Sequence, residues 1–254
     1  MHWDDEGFVL AARRHGESAL VVQLLTRAHG RHAGLVRGGQ GRKLRSVFEI
    51  GNRVGVTWSA RLAEHLGTFT GELKAPHAAR VIADPARLAG LAAAAAVAES
   101  TLPEREPHPG AFDGTAAIFE SLDADRGWAP AYVLWELALL AELGFGLDLS
   151  RCAASGETRE LVYVSPKSGH AVSAAAGAPY REKLLPLPAF LLPGEQEAPV
   201  PAAVVEGLRL TGFFLERRVF EPHGRLMPPA RTRFVDAVER LAKISDEQNS
   251  LGLA

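Results

Sequence analysis

Asn52-Arg53-Val54-Gly55-Val56-Thr57-Trp58 is the stretch that decides the N-terminal fold. It alternates cleanly, with Val54, Val56 and Trp58 on one face and Arg53 and Thr57 on the other. That two-residue period is the signature of a half-buried β-strand. Upstream the same reading recurs. Residues 7–13 read as a strand, and residues 18–26 as a second with an apolar, β-branched middle. His29-Gly30-Arg31 turns the chain into a third strand, Ala33-Gly34-Leu35-Val36-Arg37. Downstream, residues 66–73 form a fifth, and glycines recur between the strands at turn-like intervals. Five short strands in so few residues suit a small closed barrel, and the OB-fold is the commonest five-stranded one.

After Pro76 the composition turns to Ala and Leu. Residues 78–101 read as a helix, with Pro85 as a first-turn proline after Asp84. A proline-rich break at 102–110 precedes a helix at 111–122. A third follows at 130–143, where Leu134, Leu137, Leu140 and Ala141 keep helical spacing and Gly144 ends it. Then the period changes back: a strand at 157–164, a turn at Pro166-Lys167-Ser168-Gly169, and a return strand from His170. Two closing helices, 202–219 and 229–244, complete an α+β chain. The reading is an OB-fold barrel at 1–77 and a helical domain at 78–254, with a β-rich insertion at about 150–175.

The length of 254 residues fits one large domain or two to three small ones. A net charge of -2 gives no whole-chain reason to bind nucleic acid, but the distribution does. Residues 1–77 hold eleven Lys/Arg against seven Asp/Glu, and the rest of the chain is net acidic. One cysteine, Cys152, excludes an internal disulfide and a cysteine-built zinc cage, and suits a reducing cytoplasm. The opening Met1-His2-Trp3-Asp4-Asp5-Glu6 is acidic where a secretory signal would be basic, so none is expected. The longest apolar run, 88–98, is about half of what a membrane span needs.

The densest basic segment is Arg37-Gly38-Gly39-Gln40-Gly41-Arg42-Lys43-Leu44-Arg45, read as a glycine-rich loop between strands. Glycine lets the backbone approach a sugar-phosphate chain, and the bases neutralise phosphates with release of counterions. Arg13, Arg14, Arg31, Arg53 and Arg61 sit near the ends or outer faces of neighbouring strands. With Arg37, Arg42, Lys43 and Arg45 they make the candidate DNA-contacting set. The loop is not a phosphate-binding P-loop, because Gly41 is followed by Arg42-Lys43-Leu44 with no hydroxyl for magnesium. Trp58 reads as core. Trp3 reads as more exposed and is a weaker base-stacking candidate, so binding should be driven by phosphate and indifferent to sequence. His29 and His32 lack a third metal ligand and read as turn histidines, or as a pH-sensitive phosphate contact.

Three ordered segments resemble the RecO family of DNA repair proteins. The first runs Gly7-Phe8-Val9-Leu10, Gly16-Glu17, Leu25-Thr26, His29-Gly30. The second is Gly34-Leu35-Val36-Arg37-Gly38-Gly39, Gly51-Asn52, Trp58-Ser59-Ala60-Arg61, Leu66-Gly67. The third is Trp135-Glu136, Leu143-Gly144-Phe145, Leu147-Asp148, Cys152, Ser155-Gly156 and Tyr163-Val164-Ser165-Pro166-Lys167-Ser168-Gly169. The resemblance implies an N-terminal OB domain, a helical domain, and a β-rich insertion that carries zinc in some members. Here Cys152-Ala153-Ala154-Ser155-Gly156 stands where those members have Cys-x-x-Cys-Gly, so no metal or other cofactor is expected.

The resemblance also implies a function. Such a protein is a non-enzymatic mediator that binds single- and double-stranded DNA in the cytoplasm, at the nucleoid. It docks on the C-terminal tail of single-stranded-DNA-binding protein, acts with RecR, and helps RecA load or strands anneal. Arg126, Arg151, Arg181 and Lys183, beside the apolar residues Leu134, Trp135, Phe213, Phe214 and Phe220, are the candidates for holding that acidic, apolar tail. A nuclease built on Glu17 and His29 lacks any close acid pair or metal cluster. An RNA-binding OB module is the alternative, because a phosphate grip does not discriminate between sugars.

Overall fold

Five strands close into a barrel: β1 (His2–His15), β2 (Ala19–Thr26), β3 (Gly30–Val36), β4 (Arg53–Ser59) and β5 (Thr68–Ala75), in the order β1-β2-β3-β5-β4. All pairs are antiparallel except β3 with β5, which meet in parallel at Leu35 and Thr68. This is the small closed five-stranded barrel expected from the strand pattern. The computed structural model describes residues 1–122, 127–194 and 198–250.

The barrel interior is filled by Val9, Leu20, Val22, Leu24, Val36, Phe48, Val54, Val56, Trp58 and Phe69. Val54, Val56 and Trp58 point inward together, as their alternation requires. Two glycines make room for the rings. A Cβ at Gly34 would lie 2.4 Å from the Phe69 ring. One at Gly67 would lie 2.4 Å from Trp58, and Gly67 also takes φ +65°, which favours glycine. Trp58 Nε1 donates to the Leu66 carbonyl (3.0 Å), so the buried indole keeps a partner.

β1 begins five residues earlier than the apolar pattern allows. Its N-terminal half pairs with β4, from His2↔Ser59 to Phe8↔Arg53, and its C-terminal half with β2. The acidic residues Asp4, Asp5 and Glu6 are held there by backbone pairing, which leaves no mark on hydrophobic periodicity. Phe8 to Ala11 are buried without alternation. Val9 faces the barrel interior, while Phe8 packs on Phe112 and Phe119, with ring centroids at 5.2 and 5.3 Å.

Those two rings come from α4 (Pro109–Ser121), which follows α1 (Arg42–Val47), α2 (His77–Val81) and α3 (Pro85–Thr101). The single helix expected over 78–101 is two. Pro85 disfavours helical conformation at the residue before it. Asp84 is accordingly extended, and caps α3 by accepting from the Ala86 and Arg87 amides at 2.9 and 3.1 Å. Together with the barrel these helices make one compact unit, Met1–Trp128 with Pro228–Arg233, so compactness does not end at residue 77.

The second unit spans Ala129–Met227 and continues from Phe234. It draws on α5 (Trp128–Glu142), β6 (Leu161–Val164), β7 (Ala171–Ser173), α6 (Ala174–Gly177), β8 (Leu185–Pro186), α7 (Pro201–Phe214) and α8 (Pro229–Ser250). β6 is the middle of a three-stranded sheet, and is shorter than the strand expected from residue 157. Glu160, immediately before it, has φ +51°, outside the strand region. α7 passes into a π-helical stretch, Leu215–Phe220. The core here holds Tyr132, Leu139, Leu140, Leu208, Phe214 and Phe234, with Tyr132 and Phe234 ring centroids 4.3 Å apart. Among the described residues no helix is long and apolar enough to cross a membrane.

Candidate nucleic-acid interface

The connection from β3 to β4 is not wholly the loop expected from its glycines. Residues 42–47 form a short helix, α1 (Arg42–Val47), with turn at 37–41 before it and at 48–52 after it. The reason lies in Leu44 and Phe48, four residues apart, which pack against the barrel core. Anchoring those two leaves Arg42, Lys43 and Arg45 exposed. The turn is tied to the β1–β2 hairpin. The Gln40 amide donates to the Ser18 carbonyl (2.9 Å), and its side chain donates to the carbonyls of Gly16 and Ala19, each at 3.0 Å. Gln40 is thus a positioning residue with no sequence signal of its own.

That tie gathers six of the nine expected bases at one end of the barrel. Arg13 and Arg14 end β1, Arg37 follows β3, and Arg42, Lys43 and Arg45 lie on α1. Arg14 and Arg45 line one cavity of about 220 Å³ with Gln40, Phe48 and Glu49. Arg37 lines a second, of about 420 Å³, with Leu44, Thr68 and Thr70. Arg13 is paired to Glu99 of α3 at 2.7 Å. The other five form no ion pair among the described residues and are exposed, against two nearby acids, Glu17 and Glu49.

The remaining three lie elsewhere. Arg53 is paired to Glu6 at 2.6 Å, with its guanidinium 5.7 Å from the centre of the Phe8 ring. Arg31 donates from Nε to the Leu102 carbonyl (2.8 Å), holding the segment after α3. Arg61 is exposed just beyond the end of β4. Arg53 and Arg31 are thus engaged by groups of their own unit and are not gathered with the six.

The histidines also separate. His29 has Nδ1 2.8 Å from an Asp5 carboxylate oxygen. His32 is buried on β3, not exposed in a turn, and burial pushes its imidazole below the usual 6.5. Neither joins the basic end.

In the second unit Arg151 lies in the turn before Cys152, while Arg181 and Lys183 lie on a 3₁₀ turn, Ala178–Lys183. All three are exposed. Arg126 lies outside the described residues. The apolar surplus expected beside them is mostly core: Trp135, Phe214 and Phe220 are buried, Phe213 is half-buried, and Leu134 alone is exposed. Within this unit Trp135 lies against Tyr132 at 5.4 Å between ring centroids, and Phe213 meets Phe214 edge-on at 5.2 Å.

Cys152 allows a direct test of the insertion as a zinc site. Burial pushes its thiol up, but hydrogen bonds from Ser155 and Ser173 outweigh this and bring it down to about 6. The Ser173 amide donates to Sγ at 3.3 Å. Serine hydroxyls and an amide are not the four strong ligands of a structural zinc. Among the described residues no three His, Cys, Asp or Glu converge on a point. The donor set does not fit the metal.

Known proteins place this architecture. The family "Recombination protein O N terminal" matches residues 1–77, and "Recombination protein O C terminal" matches 82–227. The chain is 53% identical over 238 residues to the DNA repair protein RecO of Rhodospirillum centenum, covering 93% of this chain and 94% of the relative. It is 52% identical over 249 residues to that of Rhodospirillum rubrum (94% and 97%), and 50% identical over 242 to that of Afipia carboxidovorans (94% and 97%). With both family halves matched in order and half the residues shared across nearly the whole length, the chain belongs to the RecO family of DNA repair proteins.

Proposed function

We propose that this chain is a recombination mediator that grips DNA at the α1 end of its barrel. It holds single- and double-stranded DNA through phosphates and docks on the acidic tail of single-stranded-DNA-binding protein. With RecR it helps RecA load, and it brings complementary strands together. It catalyses no bond-making step and works in the cytoplasm, at the nucleoid. The observation that supports this reading is the set Arg14, Arg37, Arg42, Lys43 and Arg45, exposed and without an acid partner among the described residues, on a barrel from a DNA repair family.

The physics is simple. Exposed guanidinium and ammonium groups without carboxylate partners exchange condensed counterions for phosphates, which favours binding without regard to base sequence. A surface that neutralises both strands lowers the repulsion opposing annealing. The test is annealing of complementary strands, each coated with single-stranded-DNA-binding protein, with and without the chain. Acceleration is expected, and its loss in a variant carrying Arg42→Ala, Lys43→Ala and Arg45→Ala. No acceleration by the unaltered chain would refute the mediator reading.

A further inference from the structure

At the end of the barrel away from α1, three rings form a ladder. Trp58, buried, stacks with Trp3 at 5.5 Å between ring centroids and 16° between planes. Trp3 stacks with His29 at 4.0 Å and 7°. Trp3 thus lies between the core tryptophan and the histidine, whose side chain is 33% exposed. His32 meets both tryptophans edge-on, at 5.1 and 4.9 Å. The ladder starts in the core and ends at the surface.

The same rings line a cavity of about 480 Å³ with Ala63, Glu64, Arg105 and Pro107. Its wall is fixed. The Arg105 guanidinium donates to the carbonyls of Ala63, Glu64 and His65 at 2.6, 3.2 and 3.0 Å. The Arg105 amide donates to the Arg31 carbonyl at 2.7 Å, and the residue takes φ +62°, a conformation non-glycine residues rarely adopt. The ladder is fixed too, because Asp5, its carboxylate largely buried, accepts from the Ala28 amide (2.9 Å) and holds His29 Nδ1.

From this geometry we infer that the Trp3–His29 ladder is a stacking site for one unstacked nucleobase of single-stranded DNA. Parallel ring faces ending at a half-exposed ring suit a flat, sequence-tolerant π-system, and a guanidinium beside the opening suits the adjoining phosphate. The inference rests on the proposed DNA-binding function and adds a subsite to it. Trp3 and Arg14 stand eleven residues apart on β1, at most about 36 Å of strand, so one single strand can meet both ends. That span agrees with the roughly 4–16 nucleotides an OB fold covers.

The test uses the full chain with oligothymidylate of about sixteen nucleotides and an abasic strand of equal length and charge. Oligothymidylate is expected to bind at least about five-fold more tightly, the effect of one stacked base. His29→Ala should bring that ratio towards one while leaving the salt slope unchanged, and His29→Phe should restore it. Equal affinity of the unaltered chain for both strands overturns the stacking site but leaves the phosphate grip intact. Failure to bind either strand overturns both. If an acidic peptide ending in an aromatic residue loses affinity in His29→Ala while oligothymidylate does not, the cavity serves a protein partner and the inference fails.

Discussion

Replacing Arg42, Lys43 and Arg45 together by alanine should flatten the salt dependence of DNA binding without unfolding the chain. All three side chains are exposed on α1, and the residues that anchor the helix, Leu44 and Phe48, remain. Exposed substitutions of this kind change stability by about 0.5 kcal/mol or less, and alanine is the best helix former. The binding effect is larger. With five free bases at this end, each contacting one phosphate of a single strand, the log–log slope is about −3.5. Between 0.05 and 0.2 M salt, affinity should then fall about 130-fold. With two bases left the slope is about −1.4, and the same salt step costs only about seven-fold. Fluorescence anisotropy of a labelled strand across that range measures both slopes. A triple variant with unaltered slope and affinity would place the DNA elsewhere on the molecule.

Other consequences are independent of DNA. Phe8→Ala removes the ring that packs on Phe112 and Phe119, and should cost about 3–5 kcal/mol in urea unfolding; a loss below about 1 kcal/mol would contradict that packing. Burial holds the His32 imidazole below 6.5 in the folded chain, so as pH falls the unfolded chain takes up the proton first. Stability should therefore fall as pH drops below about 6.5 and level off below the folded value. His32→Gln should remove that part of the slope, and an unchanged profile would show that His32 does not contribute to it. Elemental analysis of the purified chain should find no stoichiometric zinc; about one zinc per chain would overturn the reading of Cys152, Ser155 and Ser173. A labelled tail peptide of single-stranded-DNA-binding protein should bind the full chain saturably at about 0.15 M salt, where long-range attraction is largely screened. The triple alanine variant should bind it equally; loss of binding would move the partner site onto the barrel.

The barrel was legible because its inner face is apolar at period two, and Val54-Gly55-Val56-Thr57-Trp58 states that period outright. Parts of it were not. The first residues of β1 are acidic, and their place is set by hydrogen bonds to β4 that no side chain announces. α1 was masked by three glycines and by charge, although Leu44 and Phe48 carried the helical spacing. The basic set was legible as composition but not as a surface. Arg53 and Arg13 find carboxylates 47 and 86 residues away, pairings that only the fold creates. The same limit hid the aromatic ladder: Trp3, His29 and Trp58 are far apart in sequence and become neighbours only when β1 pairs with β4 and β2 returns beside it. In the helical half, Trp135, Phe214 and Phe220 read as surplus apolar surface but are core, because helix periodicity alone does not tell how many neighbours a helix has.

The most direct test of where DNA lies is photocrosslinking of a single strand carrying 4-thiothymidine to the full chain, followed by peptide mapping. Crosslinks should concentrate in peptides holding residues 13–14 and 37–45, and fall sharply in the triple alanine variant. Crosslinks confined to residues 129–227, and undiminished in that variant, would contradict a barrel-borne DNA grip.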